Sequence, residues 1–238
     1  MHELDNPIWS ALTGPQAGFA GAIDATRWYP SAVAPFAAVA QAAAAAAPAL
    51  DAALARGLAP PVYFLGVVPD ALPAGWTFAA RSRVLQLLPT AELAAEEDPE
   101  CVELGVTHRE TMLELARSAF PDYFRERTAE LGTYLGLFAG DRLVAMAGER
   151  MATPRHREIS GVCTHPQFAG RGLARRLTLT LLARHRRAGI RSFLHVSEHN
   201  PRAQRLYASL GFVERAALEL ARVERSVPEH RQGARDHA

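Results

Sequence analysis

The join between a β-forming run and a long helical run constrains this 238-residue chain more than any other feature. Glu158–Thr164 reads as a strand, and the chain breaks at Pro166. A helical pattern starts near Arg171, runs to Arg187 and stops at Gly189. The connection contains Gln167, Phe168, Ala169, Gly170, Arg171 and Gly172. Two glycines without side chains let the main chain turn sharply and come close to a ligand. The first amides of a helix have no partner inside it, and the helix dipole adds partial positive charge there. The combination suits a phosphate or pyrophosphate.

Charge points the same way. No Asp or Glu occurs between Ile159 and Ser197, whereas Arg171, Arg175, Arg176, Arg184, Arg186, Arg187 and Arg191 give that window +7. A solvated cationic helix face is the plain alternative. An RNA-binding helix is a further one, but Phe168 and Phe193 are the window's only aromatic residues other than histidine. The whole chain balances 26 cationic residues against 25 acids, a net charge of +1, which argues against a dedicated nucleic-acid binder. Every one of those cations is arginine, so neither a Schiff-base lysine nor a Walker-type phosphate lysine is available. Cys101 and Cys163 form no CxxC pair or disulfide framework, which suggests a reducing cytoplasm. Met1–Ser10 lacks the pattern of a secretory signal, and no run approaches a membrane span, so no membrane partner is expected.

The chain divides near Pro89–Glu100, an acidic stretch with flanking prolines that reads as a linker. Residues 1–95 are expected to form an N-terminal α/β domain, 96–225 a second domain and 226–238 a flexible tail. The first part offers a short helix near Asn6–Leu12 and an alanine-rich helix over Gln41–Arg56. It also offers strands at Val62–Val68 and Trp76–Leu88. In the second part Cys101–Leu104 is a strand, and Thr107 with Glu110 forms a capping box before a helix. Asp122–Glu130 reads as a second helix. Thr133–Ala139 and Leu143–Met151 flank a Gly140-Asp141 turn. Arg191–Ser197 is a strand, Asn200–Leu210 a helix ending at Gly211, and Phe212–Arg225 has room for a hairpin. The order βααβββαβαββ predicts an α/β fold with a mixed sheet and helices on both faces.

Gln167-x-x-Gly170-x-Gly172, the Val162-Cys163-Thr164-His165-Pro166 before it, and the later Asn200-Pro201, Ala203, Tyr207 and Gly211-Phe212 together resemble the GNAT superfamily of N-acetyltransferases. The resemblance covers about Cys101–Arg225 and implies the GNAT-like acyl-CoA N-acyltransferase fold. The first half looks like the N-terminal region of a two-domain subgroup, a degenerate copy of the same fold.

The resemblance implies acetyl-coenzyme A as co-substrate and an unidentified amine as acceptor, with no metal. It implies that amides from Gln167 through Ala169, Gly170, Arg171, Gly172, Leu173 and Ala174 hold the pyrophosphate. Many relatives carry a basic residue where this chain has Ala169; Arg171 or Arg175 could compensate. It further implies that Val162, Cys163 and Thr164 pair with the pantetheine arm where two parallel strands splay apart. A backbone amide there would polarise the thioester carbonyl. Asn200 would touch the pantetheine or cap its helix, and Ala203 belongs to the same motif. Tyr207 would protonate the departing thiolate, a role that suits a phenol. Glu158 is the candidate base, with a water chain, Glu149, His195 and Glu198 as alternatives. Period-two alternation puts Glu158, Ser160, Val162 and Thr164 on one face. His195, Glu198 and His199 match a zinc-protease pattern, but on a strand end and a loop rather than one helical face. An inactive coenzyme A-binding regulatory module is the competing reading of the whole chain. A small molecule, a peptide amine and a protein side chain all remain open as acceptor, and the oligomeric state is not legible.

Overall fold

The computed structural model describes residues 2–42, 47–120 and 123–226. The elements in chain order are α1 (Pro7–Leu12), β1 (Gly21–Ile23), β2 (Thr26–Trp28), β3 (Ala37–Val39), α2 (Ala47–Leu54), β4 (Val62–Leu65) and β5 (Trp76–Pro89). They continue with β6 (Val102–Glu103), α3 (Arg109–Arg117), β7 (Tyr134–Ala139), β8 (Arg142–Ala152), β9 (His156–Thr164), α4 (Leu173–Arg187), β10 (Arg191–Ser197), α5 (Pro201–Ser209) and β11 (Phe212–Arg225). Strands β1 to β3 form a small antiparallel sheet. The other eight form one sheet ordered β4-β11-β5-β10-β9-β8-β7-β6. Among the described strand pairs of that sheet only β9 and β10 run parallel, and α4 connects them.

One face of the large sheet carries α4 and α5. Leu177 and Leu181, four residues apart, lie on one side of α4 and are fully buried against Leu135, Ala147, Ile159 and Leu194. Burying each such leucine contributes about 1.5–3 kcal/mol. The opposite face is covered by α1 and its neighbours (Leu4, Ile8, Tyr29, Phe36) and, further along, by α3 (Met112, Leu115). Gly189, at φ 69°, ends α4, and Ile190 N donates to His185 O at 2.8 Å.

The segments 1–95 and 96–225 share this sheet, because β5 of the first lies between β10 and β11 of the second. The order of elements in residues 2–95 does not repeat that of the later part. The acidic stretch is a strap rather than a loose linker. Leu93 is buried, and Asp98, Glu97, Glu100 and Glu103 lie against the arginines of α4.

Local expectations change in four places. Phe212–Arg225 is one strand, not a hairpin, since no Gly, Pro, Asn or Asp interrupts it; it pairs along its length with β5. The Thr107 capping box is replaced by a 3-10 turn, Val106–His108, in which Gly105 N bonds His108 Nδ1 at 3.1 Å. Of Asp122–Glu130, Asp122 lies outside the described residues, and the remainder forms only a 3-10 turn at Thr128–Leu131. Gln41 and Ala42 form a bend, 43–46 lie outside the described residues, and the helix starts at Ala47, with Pro48 in its first turn. Of the expected tail, 227–238 also lies outside the described residues. Among the described residues no helix is long and apolar enough to cross a membrane.

Candidate active site

Strand β9 ends at Thr164, and a 3-10 turn at Pro166–Phe168 carries the chain to Ala169. Gly170 and Gly172 then adopt φ of 80° and 75°, conformations that other residues rarely take. Gly172 is the N-cap of α4, and no side chain caps that end. Among the described residues, the amide N–H groups of Gly170, Arg171, Gly172, Leu173, Ala174 and Arg175 donate to no acceptor; the first helical bond is Arg176 N to Gly172 O, 3.1 Å. A Cβ on Gly170 or Gly172 would meet nothing within 4 Å, so nothing is packed against the turn on that side. That is the cradle a diphosphate requires.

The cations around it sort into two groups. Arg176 pairs with Asp98 (2.5 Å) and Glu100, Arg184 with Glu97 (3.3 Å) and Glu103 (2.8 Å), and Arg187 with Glu97. Arg186 donates to the carbonyls of Leu93 and Thr90. Much of the +7 window is therefore balanced by the acidic strap. Arg171 and Arg175 have no carboxylate partner among the described residues; Arg171 lies over the Phe168 ring at 4.8 Å. Sequence reasoning missed Arg142, which donates to Gln167 Oε1 (3.3 Å) and lies 2.7 Å from His165 Nε2, adding a cation behind the loop. Its signal was its place directly after the Gly140-Asp141 turn.

The pairing of β9 with β10 ends at Glu158 and Phe193, and beyond it β10 pairs only with β5. The edge of β9 from Ile159 to Thr164 therefore faces a gap. Opposite β8 the strand bulges at Gly161 (φ 62°), which breaks the alternation. Val162 packs with Ile159 on the α4 face, so Glu158, Ser160, Val162 and Thr164 do not share one face as expected. Cys163 turns into the core under α3, and burial pushes its thiol up to about 12, so only its main chain is available to a ligand.

A cavity of about 340 Å³ opens at the gap. Val162, Asn200, Ala203 and Tyr207 line one end. Asn200 caps α5, its Oδ1 accepting from Ala203 N at 3.0 Å. Tyr207 is 7% exposed and rests against Phe212 with ring centroids 5.9 Å apart. Burial, then the nearby Glu158 charge, raises its phenol to about 12.

Glu158 lies behind the cavity wall and is 1% exposed. Burial raises its carboxyl, but Arg150 and His195 outweigh that and hold it at about 2. Both oxygens are engaged: Arg150 Nη2 and His195 Nδ1 reach Oε1 at 2.6 and 2.8 Å, and Arg150 Nε reaches Oε2 at 2.9 Å. The tautomer of His195 follows from its other neighbour. Arg215 can only donate, at 2.8 Å to Gln86 Oε1, so the Gln86 amide nitrogen faces His195 Nε2 at 3.0 Å and donates to it. The imidazole proton therefore lies on Nδ1, toward Glu158. Of the other candidate bases, Glu149 pairs with His185 at 2.9 Å, and Glu198 accepts from Arg83 N at 3.2 Å; neither lines the cavity. His195 is buried against Glu158 while the His199 side chain is 78% exposed. Among the described residues no three His, Cys, Asp or Glu side chains could hold a metal. Arg150 was also missed, although a charge inside the apolar run Leu143–Met151 is a legible anomaly.

A mixed sheet with one parallel pair that splays beside an amide cradle defines an acyl-CoA N-acyltransferase fold. The sequence profile of the Acetyltransferase (GNAT) family matches residues 93–212. A GNAT-family protein of known structure from Novosphingobium aromaticivorans is 36% identical over 95% of this chain and 100% of its own, with a TM-score of 0.85. The chain belongs to the GNAT acetyltransferase family, whose members use acetyl-coenzyme A as co-substrate. More distant structures share the fold. A GCN5-related N-acetyltransferase from Kribbella flavida is 17% identical, with a TM-score of 0.57, over 90% of this chain and 94% of its own. An N-acetyltransferase-like protein from Streptococcus suis is 15% identical, with a TM-score of 0.53, over 92% of both chains. No curated protein sequence matches the chain significantly.

Proposed function

We propose that the protein moves the acetyl group of acetyl-coenzyme A to a primary amine by direct attack in a ternary complex. The run of partnerless amides from Gly170 to Arg175, beside the gap between β9 and β10, supports this reading most strongly. These amides hold the pyrophosphate, assisted by Arg171 and Arg175, and the free edge of β9 at Val162–Thr164 pairs with the pantetheine amides. The amine attacks the thioester carbon, a C–N bond forms, and the C–S bond breaks. A main-chain amide on the β9 edge stabilises the oxyanion. Tyr207, still protonated at neutral pH, gives its proton to the leaving sulfur. The ammonium proton leaves through water. Glu158, held at about 2 with both oxygens engaged, is a weak base and instead positions Arg150 and His195 in the cavity wall. The unpaired, buried Cys101 and Cys163 fit a reducing cytoplasm.

The test is thiol release from acetyl-coenzyme A over an amine panel, with wild type and Tyr207→Phe. Turnover that the substitution reduces supports the transferase. Binding without turnover for any amine supports an inactive coenzyme A-binding module instead.

A further inference from the structure

The cavity continues past Tyr207 into a wall of a different character. Phe36, Tyr123, Phe124 and Tyr134 line it, with Leu65 and Val84 beside them. Phe36 and Tyr123 lie nearly parallel, 21° apart with centroids at 6.1 Å, and Phe124 meets Tyr134 edge-on at 5.5 Å. The Arg150 guanidinium lies 4.9 Å over the Phe36 ring, with its charge already met by Glu158. No described lining residue is Asp or Glu. A polyamine or an aminoglycoside carries several ammonium groups, and each would lose its hydration here without a countercharge. A ring would find apolar contact and aromatic faces and edges. The volume, about 340 Å³, is in the range of small-molecule sites.

The wall has a second property. Phe36, Leu65 and Val84 belong to residues 1–95 and lie outside the stretch 93–212 that the family profile matches. The stretch that the profile matches brings the reacting groups together with Tyr123, Phe124 and Tyr134, and residues 1–95 add Phe36, Leu65 and Val84 at the far end. We infer that the acceptor is a monoamine carried on an aromatic body, its ring held among Phe36, Tyr123, Phe124 and Tyr134 and its nitrogen toward Tyr207. The inference rests on the acetyl-transfer reading above.

The experiment compares phenethylamine and tryptamine with butylamine, spermidine, kanamycin and a lysine-containing peptide. Thiol release gives kcat/KM, and calorimetry gives acetyl-coenzyme A affinity. The expected result is a kcat/KM for the aryl amines at least tenfold above every other amine. Phe36→Ala is expected to raise the aryl-amine KM at least fivefold with unchanged acetyl-coenzyme A affinity. Because Phe36 is also core, Tyr123→Leu serves as a second variant with the same expected split. Equal or better use of spermidine, kanamycin or the peptide overturns the assignment, as does failure of any aryl amine to react, and both leave coenzyme binding intact. Failure of acetyl-coenzyme A to bind at all overturns this assignment together with the reading it rests on.

Discussion

Arg150 and Glu158 meet through two hydrogen bonds, Nε to Oε2 at 2.9 Å and Nη2 to Oε1 at 2.6 Å, between adjacent strands at the wall of the cavity beside Tyr207. The pair sets a pH dependence. The folded carboxyl is held at about 2, below its ordinary 4.5, so the ionised form adds stability above about pH 4.5. That contribution drains away as pH falls toward 2. Urea unfolding at pH 6, 4 and 3 is expected to show stability falling through this window. Glu158→Gln, which leaves Arg150 buried without its anion, is expected to lose about 3–5 kcal/mol at neutral pH and to show a shallower acid slope.

Tyr207→Phe is expected to lower kcat by about 10²- to 10⁴-fold, the usual range for a positioned acid, with acetyl-coenzyme A affinity unchanged. Because its phenol titrates at about 12, wild-type kcat is expected to show no fall due to Tyr207 up to pH 10. Steady-state rates across pH 6–10 check both.

The thiols of this protein are expected to be silent in that assay. Cys101 and Cys163 are both buried, and burial raises both thiols. Ellman's reagent is expected to find almost no rapidly reacting thiol in the native protein and both after denaturation.

The strap and the cradle divide the arginines of α4. Arg175→Ala, at the open end, is expected to weaken acetyl-coenzyme A about tenfold, the loss of one charge-assisted contact. Arg184→Ala, paired with the strap, is expected to leave that affinity unchanged and to cost at most about 1 kcal/mol of stability, since its partners are partly solvated. Calorimetry and thermal melts separate the two.

The elements nearest the chemistry were the most legible. Arg191–Ser197 forms the strand that its pattern predicts, and α5 starts and stops at Asn200 and Gly211, because caps and period are local signals. Tertiary consequences were not legible. Nothing in Trp76–Leu88 announces that this strand lies between β10 and β11 rather than in its own domain, since pairing partners are chosen by the sheet. The bulge at Gly161 moved Val162 to the other face, and a single residue out of phase is invisible to period counting. The Arg150 guanidinium that engages Glu158 lies eight residues upstream across a strand turn, so a carboxylate that read as a base proves to be engaged.

The proposed transfer depends most on the amide cradle, and calorimetric titration of acetyl-coenzyme A into wild type and Gly172→Val tests that cradle most directly. Gly172 has φ 75° and open space at its Cβ position, so valine there costs about 1–3 kcal/mol of backbone strain, which a folded domain of this size tolerates. With folding verified by circular dichroism, the predicted result is binding by the wild type and at least a hundredfold loss in the variant, about 2.7 kcal/mol. Equal affinity in both proteins would contradict the assignment.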